Sequence, residues 1–501
     1  MLDSGDFVRP RFVDEPLYEK PIGIYWLQAA AVACVGRRDR ICTYRIPSLL
    51  GAMLAVLGTF LIGARRIDRK TALLAAALLC ASPVLVVEAD LATTDAALLA
   101  CVVLSQGCLA EIYLAGERGA RAGVWAAIGL WVGLGLGTLI KGPVAPALTL
   151  LTIVALRLSK RPVRVNDLRI AWGLPLLAAI VAPWALAVGA ATGWSFYGDA
   201  LRNDILPKLI GGQESHGAPP GYYLALAPVT FWPGSFVMLP AVWAAIRERD
   251  DPAVRFALAW LVPTWLLFEA LPTKLPHYVM PTYPALALLC ARWVGMAAET
   301  SRSRLERVSW VSWIVVGLAS AAVIPAAAAL FAGSFQRASI VPAILAMMTV
   351  IAGKRMHERG DRTRATWIAI LGGGSMLVST LAIVLPGLEA LWPTVRAARI
   401  VADRTTSSSR PIVVVGYREP SLVFLLGGDV ARLDTAEAAR FVASQPTALA
   451  WVDDSRQSAF ESASIREAFR VAEIASVDGW NISKGRRVRL HLFERADDPH
   501  H

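Results

Sequence analysis

Charge is scarce in this 501-residue chain: 18% of its residues are Asp, Glu, Lys or Arg, against 55% apolar. Soluble globular domains carry about 25% charged residues, so the composition excludes a wholly water-soluble protein, and with it disorder and a coiled coil. Lysine is scarcer still, at eight of the 50 basic residues, although the formal net charge is +11. The six cysteines (Cys34, Cys42, Cys80, Cys101, Cys108 and Cys290) stand singly without a CxxC pair, which excludes a disulfide scaffold and a redox or zinc framework. No GxGxxG pattern occurs, so no nucleotide cofactor is expected. A basic excess can signal nucleic acid, but at a mean hydropathy of +0.50 it belongs in cytoplasmic loops, where it sets orientation.

What is present is a series of apolar runs. A bilayer crossing takes roughly 17–25 such residues. Twelve runs are expected to cross, at 44–64, 71–88, 94–115, 122–139, 143–158, 170–190, 222–246, 254–271, 279–297, 309–332, 339–353 and 365–386. Every second break is rich in arginine, as around Arg65, Arg118, Arg161, Arg247, Arg304 and Arg359, which predicts those loops to be cytoplasmic. The alternate breaks would then face the periplasm or exterior: Glu88 to Asp95, Lys141, 191–221, Lys274 to Tyr278, and Ser334 to Arg337. The chain reads as a polytopic α-helical membrane protein.

Twelve spans put both ends outside, yet residues 1–20 hold eight charged side chains and no signal peptide to export them. Residues 1–43 are therefore expected to be an exterior loop, with 21–36 an interfacial helix that sets Tyr25 and Trp26 at headgroup level. The same conflict leads us to expect a further span upstream of Met1. Residues 44–386 form the membrane domain, and 387–501 a small exterior α/β domain. In that tail, Arg410–Gly416, Ala448–Val452 and Arg486–Phe493 read as strands and Thr435–Ser444 as an amphipathic helix. The sequon at Asn481 is read as a chance occurrence.

The spans carry almost no charge at mid-depth, which argues against an ion-coupled transporter. Polar groups gather instead at the exterior ends. Four of the eight lysines (Lys20, Lys141, Lys208 and Lys274) fall in exterior loops, against the positive-inside tendency. An ammonium is a good point-charge partner for phosphate; the alternative is that these lysines are snorkelling anchors. Asp95 opens a span, where a helix N-terminal role competes with a functional one. His216 stands alone without an HxxxH pattern, which by itself makes a poor zinc site.

Taken in order, these segments resemble a known family. They are Ser4–Pro10, Tyr18-Glu19-Lys20-Pro21, Arg45-Ile46-Pro47-Ser48, Thr93-Thr94-Asp95, Ile140-Lys141-Gly142-Pro143, the loop around His216, and Lys274-Leu275-Pro276-His277-Tyr278. The chain is similar over nearly its whole length to glycosyltransferase family 39. These are GT-C membrane enzymes that include protein O-mannosyltransferases and, nearer to this sequence, lipid A aminoarabinose transferases. The resemblance implies a polyprenyl-phosphate sugar donor, a lipid A, lipopolysaccharide or protein acceptor, and transfer at the periplasmic face. It places Lys20, Lys208 and Tyr278 on the donor phosphate, joined by Lys274. Glu19 and His216 would sit on a divalent metal (zinc or magnesium), and Asp95 matches an acidic residue of the second exterior loop, making it the catalytic candidate. Family members also carry an Asp-Glu pair upstream of the segment matching Ser4-Gly5-Asp6; here it would precede Met1, in the same segment as the expected span.

The reaction implied is inverting: attack on the anomeric carbon with lipid phosphate as leaving group, a carboxylate orienting or deprotonating the acceptor. The competing readings are a lipid-linked-sugar flippase, for which midplane polar residues and inverted repeats are lacking, and a truncated, non-catalytic member of the family.

Overall fold

The computed structural model describes residues 1–12, 15–17, 20–159, 163–202, 217–296, 303–404, 410–417, 419–427, 430–482 and 484–496. Among them, eight helices are long and apolar enough to cross a membrane: Ile41–Arg66, Asp95–Glu117, Val124–Lys141, Val165–Ala191, Pro252–Ala270, Arg304–Ala332, Arg337–Glu358 and Arg362–Gly387. A ninth crossing is a pair of helices, Arg69–Cys80 and Pro83–Asp90, bent by 61°. The bend has a local cause. Pro83 disfavours a helical conformation in the residue before it, and Ser82 is extended there. Pro83 then starts the second helix, where its missing N–H costs nothing.

Nine of the twelve expected crossings are thus formed by helices of spanning length among the described residues, counting the bent pair as one. Hydropathy reads composition, and three apolar runs do not fold as long helices. Residues 144–158 make one helix of 15 residues. The run 222–246 is split at Phe231–Gly234, around Pro233, into Tyr222–Thr230 and Ser235–Arg247. Tyr283–Gly295 has 13 residues, about 20 Å at 1.5 Å per residue, short of a hydrocarbon core of about 30 Å. The expected interfacial helix is Gly23–Val35, also of 13 residues.

The chain divides into two compact units, Met1–Ala322 with Pro342–Leu377, and Val323–Val341 with Val378–His501. In the first, Asp95–Glu117 is the most enclosed of the spanning helices, and Arg304–Ala332 the least. Near the N-terminus, two-residue strands β1 (Arg11–Phe12) and β2 (Glu15–Pro16) pair antiparallel.

The second unit holds a five-stranded mixed sheet of β3 (Ile412–Val415), β4 (Val430–Arg432), β5 (Leu449–Asp453), β6 (Val471–Asn481) and β7 (Arg486–Arg495). Their order is β4-β3-β5-β7-β6, with β3 parallel to β4 and β5, and β7 antiparallel to β5 and β6. Ile412 to Val415 are all buried, as expected of a parallel strand covered on both faces. The helix Thr435–Ser444 starts on a capping box of Asp434 and Glu437, which satisfies two otherwise orphaned groups. It packs Ala438, Ala439 and Val442 onto a core with Val413, Val452, Phe460 and Phe493. Asn481 is 5% exposed and its amide donates to Glu419 at 2.7 Å, so the sequon asparagine is committed to the fold.

Candidate active site

The site is assembled where two spanning helices meet end to start. Asp95 is the first residue of Asp95–Glu117 and Lys141 the last of Val124–Lys141. Each charge suits its own terminus, a carboxylate at the positive start of a helix dipole and an ammonium at the negative end. The two helices pack side by side, so these termini meet: Lys141 Nζ donates to Asp95 Oδ1 at 2.6 Å.

Neighbouring backbones close around this point because two glycines permit it. A Cβ on Gly51 would lie 2.6 Å from the carbonyl oxygen of Ala96, and one on Gly23 would lie 2.6 Å from that of Leu139. Gly51 therefore lets the helix Ile41–Arg66 lie against the residue that follows Asp95. Gly23 lets the helix Gly23–Val35, with Lys20 just before it, lie against the end that carries Lys141. The Glu88–Asp95 segment is pinned from the same helices: Ser48 Oγ donates to the Thr93 carbonyl at 3.0 Å and Gln28 Nε2 to that of Ala92 at 3.4 Å.

A second carboxylate and a histidine complete the cluster. His277 Nδ1 lies 3.1 Å from Glu88 Oε1, and its Nε2 lies 3.7 Å from Asp95 Oδ1. The hydroxyl of Thr93 donates to Glu88 at 2.8 Å, and that of Thr94 to Asp95 at 3.2 Å. Tyr278 presents its ring to Lys141 Nζ at 5.3 Å from the centroid and meets the His277 ring edge-on. Burial disfavours the His277 imidazolium most; Asp95 favours it, while the ammonium groups of Lys141 and Lys20 oppose it, and the outcome is a lowered pKa. A neutral ring carries a single N–H and ionised carboxylates only accept, so His277 donates to one of the two: Nδ1 is within hydrogen-bond distance of Glu88, while Nε2 stands off from Asp95 at 3.7 Å. Lys20 also acts electrostatically on both Glu88 and Asp95, which places it at the same cluster.

Of the residues expected from sequence, Asp95, Lys20 and Tyr278 come together here. Lys208, Glu19 and His216 lie outside the described residues. Lys274 is placed differently. It is 3% exposed, and its Nζ donates to the carbonyls of Phe268 (3.3 Å), Glu269 (2.7 Å) and Leu271 (2.6 Å). An ammonium has three hydrogens, and those three carbonyls at the end of the helix Pro252–Ala270 take them, so Lys274 here caps a helix. The Glu269 carboxylate in turn accepts from the backbone N–H groups of Gly221 and Leu224 at 2.8 and 3.1 Å.

Sequence reasoning missed Glu88, Lys141 and His277 as members of one site. The available signal was a glutamate set among apolar residues in Val86-Val87-Glu88-Ala89, because an almost fully buried carboxylate is rarely left without a partner. Among the described residues, no group of three His, Cys, Asp or Glu side chains is arranged to hold a metal ion.

The family profile for dolichyl-phosphate-mannose-protein mannosyltransferases matches residues 1–192, a stretch that contains Lys20, Glu88, Asp95 and Lys141. The undecaprenyl phosphate-alpha-4-amino-4-deoxy-L-arabinose arabinosyl transferase of Pectobacterium atrosepticum is 26% identical over 479 residues, covering 91% of this chain and 84% of that protein. The chain resembles this family of membrane glycosyltransferases over most of its length. The Pseudomonas aeruginosa enzyme of the same name is 33% identical over 295 residues, so the matched part spans 58% of this chain and about half (52%) of that relative. The crystal structure of ArnT from Cupriavidus metallidurans bound to undecaprenyl phosphate superposes with a TM-score of 0.76 at 18% identity, covering 98% of this chain and 91% of that one. That likeness establishes the membrane fold with its small C-terminal mixed-sheet domain.

Proposed function

We propose that this protein transfers 4-amino-4-deoxy-L-arabinose from undecaprenyl phosphate to lipid A, at the periplasmic face of a bacterial inner membrane. The observation that carries the reading is the cluster of Asp95, Lys141, His277 and Glu88 beside Lys20, at the ends of apolar helices. Its support is the run of relatives that bear the transferase name.

The acceptor oxygen attacks the anomeric carbon from the face opposite the lipid phosphate. The bond from that carbon to the phosphate oxygen breaks, and its electron pair leaves with the phosphate. Asp95 orients the acceptor hydroxyl and takes its proton, while Lys141 holds the carboxylate in place. Lys20 and the Tyr278 hydroxyl stabilise the charge that grows on the departing phosphate. Lys208 is assigned to the same phosphate. A divalent cation held by Glu19 and His216 would add positive charge there, and nothing in the described site requires it.

The expected result of Lys20→Ala is at least a tenfold loss of transfer or donor affinity. A charge-assisted contact at low dielectric contributes roughly 1.5–3 kcal/mol, and about 1.4 kcal/mol is a factor of ten. The assay is transfer by the full gene product in liposomes containing the undecaprenyl phosphate donor. Unchanged turnover together with unchanged donor binding would remove Lys20 from the phosphate.

Orientation is tested separately. Cys34, Cys42 and Cys80 are exposed, so they are first replaced by serine. His357 is buried and makes a poor reporter for the loop expected to be cytoplasmic. A single cysteine at exposed Arg359 should resist an impermeant maleimide in spheroplasts, and one at exposed Arg440 should react. Labelling with the opposite preference would move the site to the cytoplasmic face and exclude the proposed acceptor.

A further inference from the structure

The second unit carries a polar cleft of about 690 Å³ that takes no part in the transfer chemistry. Its floor is one face of the β6–β7 ladder. Asp478 pairs with Arg489 and Trp480 with Arg487, and because strand residues alternate faces, all four side chains emerge on the same side. One wall is the turn after β5, residues Asp453 to Ser455; the other is the end of the helix Arg304–Ala332. There Phe331 sets its ring edge-on to Trp480 at 5.6 Å.

The carboxylates of the cleft all have partners. Asp478 accepts from Arg489 Nε, and Asp453 from the backbone N–H and hydroxyl of Ser455. Asp454 meets Nε2 of His491 at 3.0 Å, and Glu473 meets Nδ1 at 3.0 Å. Arg487 lies over the Trp480 indole instead, 5.4 Å from the centroid. A neutral ring orders a guanidinium without cancelling its charge and leaves its edge donors free to face a ligand. Among the described residues, no carboxylate is paired with Arg486 or Arg487. Arg486, the next residue on the strand, pairs with Asn481 and stands on the opposite face, so the floor of the cleft presents one uncompensated guanidinium group, that of Arg487. Beside it, Asp454 and Asp478 remain 62% and 64% exposed, with lone pairs to spare for hydroxyl donors.

We propose that this cleft binds a phosphorylated sugar, its phosphate held by Arg487 and its hydroxyls by Asp454 and Asp478. Guanidinium forks match phosphate oxygens, ionised carboxylates accept from hydroxyls, and an indole provides an apolar surface for a sugar ring. The phosphorylated sugar is either the headgroup of a glycolipid or a soluble sugar phosphate. The proposal needs no turnover and stands apart from the transfer reaction.

The test uses the full chain in phosphatidylcholine nanodiscs, titrated with glucosamine 1-phosphate, glucosamine and inorganic phosphate. In a second arm, discs doped with lipid A or with phosphatidylglycerol are compared for lipid retained by the protein in native mass spectrometry. The sugar phosphate or lipid A should bind saturably, at least ten times more tightly than glucosamine or phosphatidylglycerol. Arg487→Gln should weaken that binding at least tenfold and Arg487→Lys should recover part of it; Asp454→Asn, in the turn after β5, should also weaken it and gives an independent reading if position 487 disturbs the sheet, while Arg486→Gln, on the opposite face, should bind like the parent. Binding of the soluble ligand in plain discs assigns a free sugar phosphate; retention of lipid A alone, dependent on Arg487, assigns a glycolipid headgroup. The proposal is overturned by equal binding of glucosamine, equal retention of phosphatidylglycerol, Arg487→Gln and Asp454→Asn variants that bind like the parent, or no saturable binding in either arm.

Discussion

Asp95→Asn should lower sugar transfer by about 10²–10⁴-fold, the range for removing a positioned acid–base group, while leaving the protein folded. The amide keeps the shape of the carboxylate and can still accept a hydrogen bond from Lys141, now 2.6 Å from Asp95 Oδ1. It loses the ability to take a proton from the acceptor and to carry negative charge opposite the developing positive charge on the sugar. Donor affinity should change by less than about threefold, because the phosphate contacts are assigned to Lys20 and Tyr278 and the ground state is left nearly intact. The measurement is single-turnover transfer with separately determined donor binding. A variant that keeps more than a tenth of parental turnover would reduce Asp95 to a helix N-terminal residue paired with a lysine.

Lys141→Met should be among the most destabilising single changes in the membrane unit. Asp95 is 8% exposed, and taking away the ammonium leaves a carboxylate surrounded by protein. Breaking a buried pair by removing one partner costs about 3–5 kcal/mol, whereas replacing both members is often nearly neutral. The double variant Asp95→Asn/Lys141→Met should therefore recover most of the loss. Reversible unfolding in mixed detergent micelles, run on the parent, both single variants and the double, gives the coupling directly. If the double variant is no more stable than Lys141→Met alone, the pair contributes nothing and the contact is incidental.

The sequence was most informative where a local rule and the tertiary environment agree. Thr435–Ser444 has the bounds expected from its pattern, because the capping box at Asp434 and the apolar spacing of Ala438, Ala439 and Val442 give the same answer. The strand at Arg486–Phe493 was equally legible, since its first half alternates exposed and buried side chains, although Leu490 to Phe493 are buried on both faces. β6 was not. Val471, Ile474 and Val477 recur at a spacing of three, and a bulge between Glu473 and Ala475 shifts the strand's alternation. In the membrane unit, composition fixed which segments are apolar but not the path they take: one run is bent and three fold as shorter helices. The site was half legible for a similar reason. A scarce lysine or aspartate at a span end is visible in one dimension. Which helix start meets which helix end depends on packing, and no spacing rule pairs Glu88 with His277 or separates Lys274 from the other lysines.

The bend at Ser82–Pro83 has a consequence for depth. A straight helix of the 22 residues from Arg69 to Asp90 would be about 33 Å long. Arms of 12 and 8 residues at 61° reach only about 26 Å from end to end at the same rise. Glu88 is thereby withdrawn by several ångströms from where an unbroken crossing would carry it, toward the level of lipid phosphates instead of open water. A donor anchored by a prenyl tail can then meet the carboxylates without lifting its tail out of the hydrocarbon. The enzyme comes down to its lipid, and the thickness of the surrounding bilayer becomes one of the dimensions of its active site.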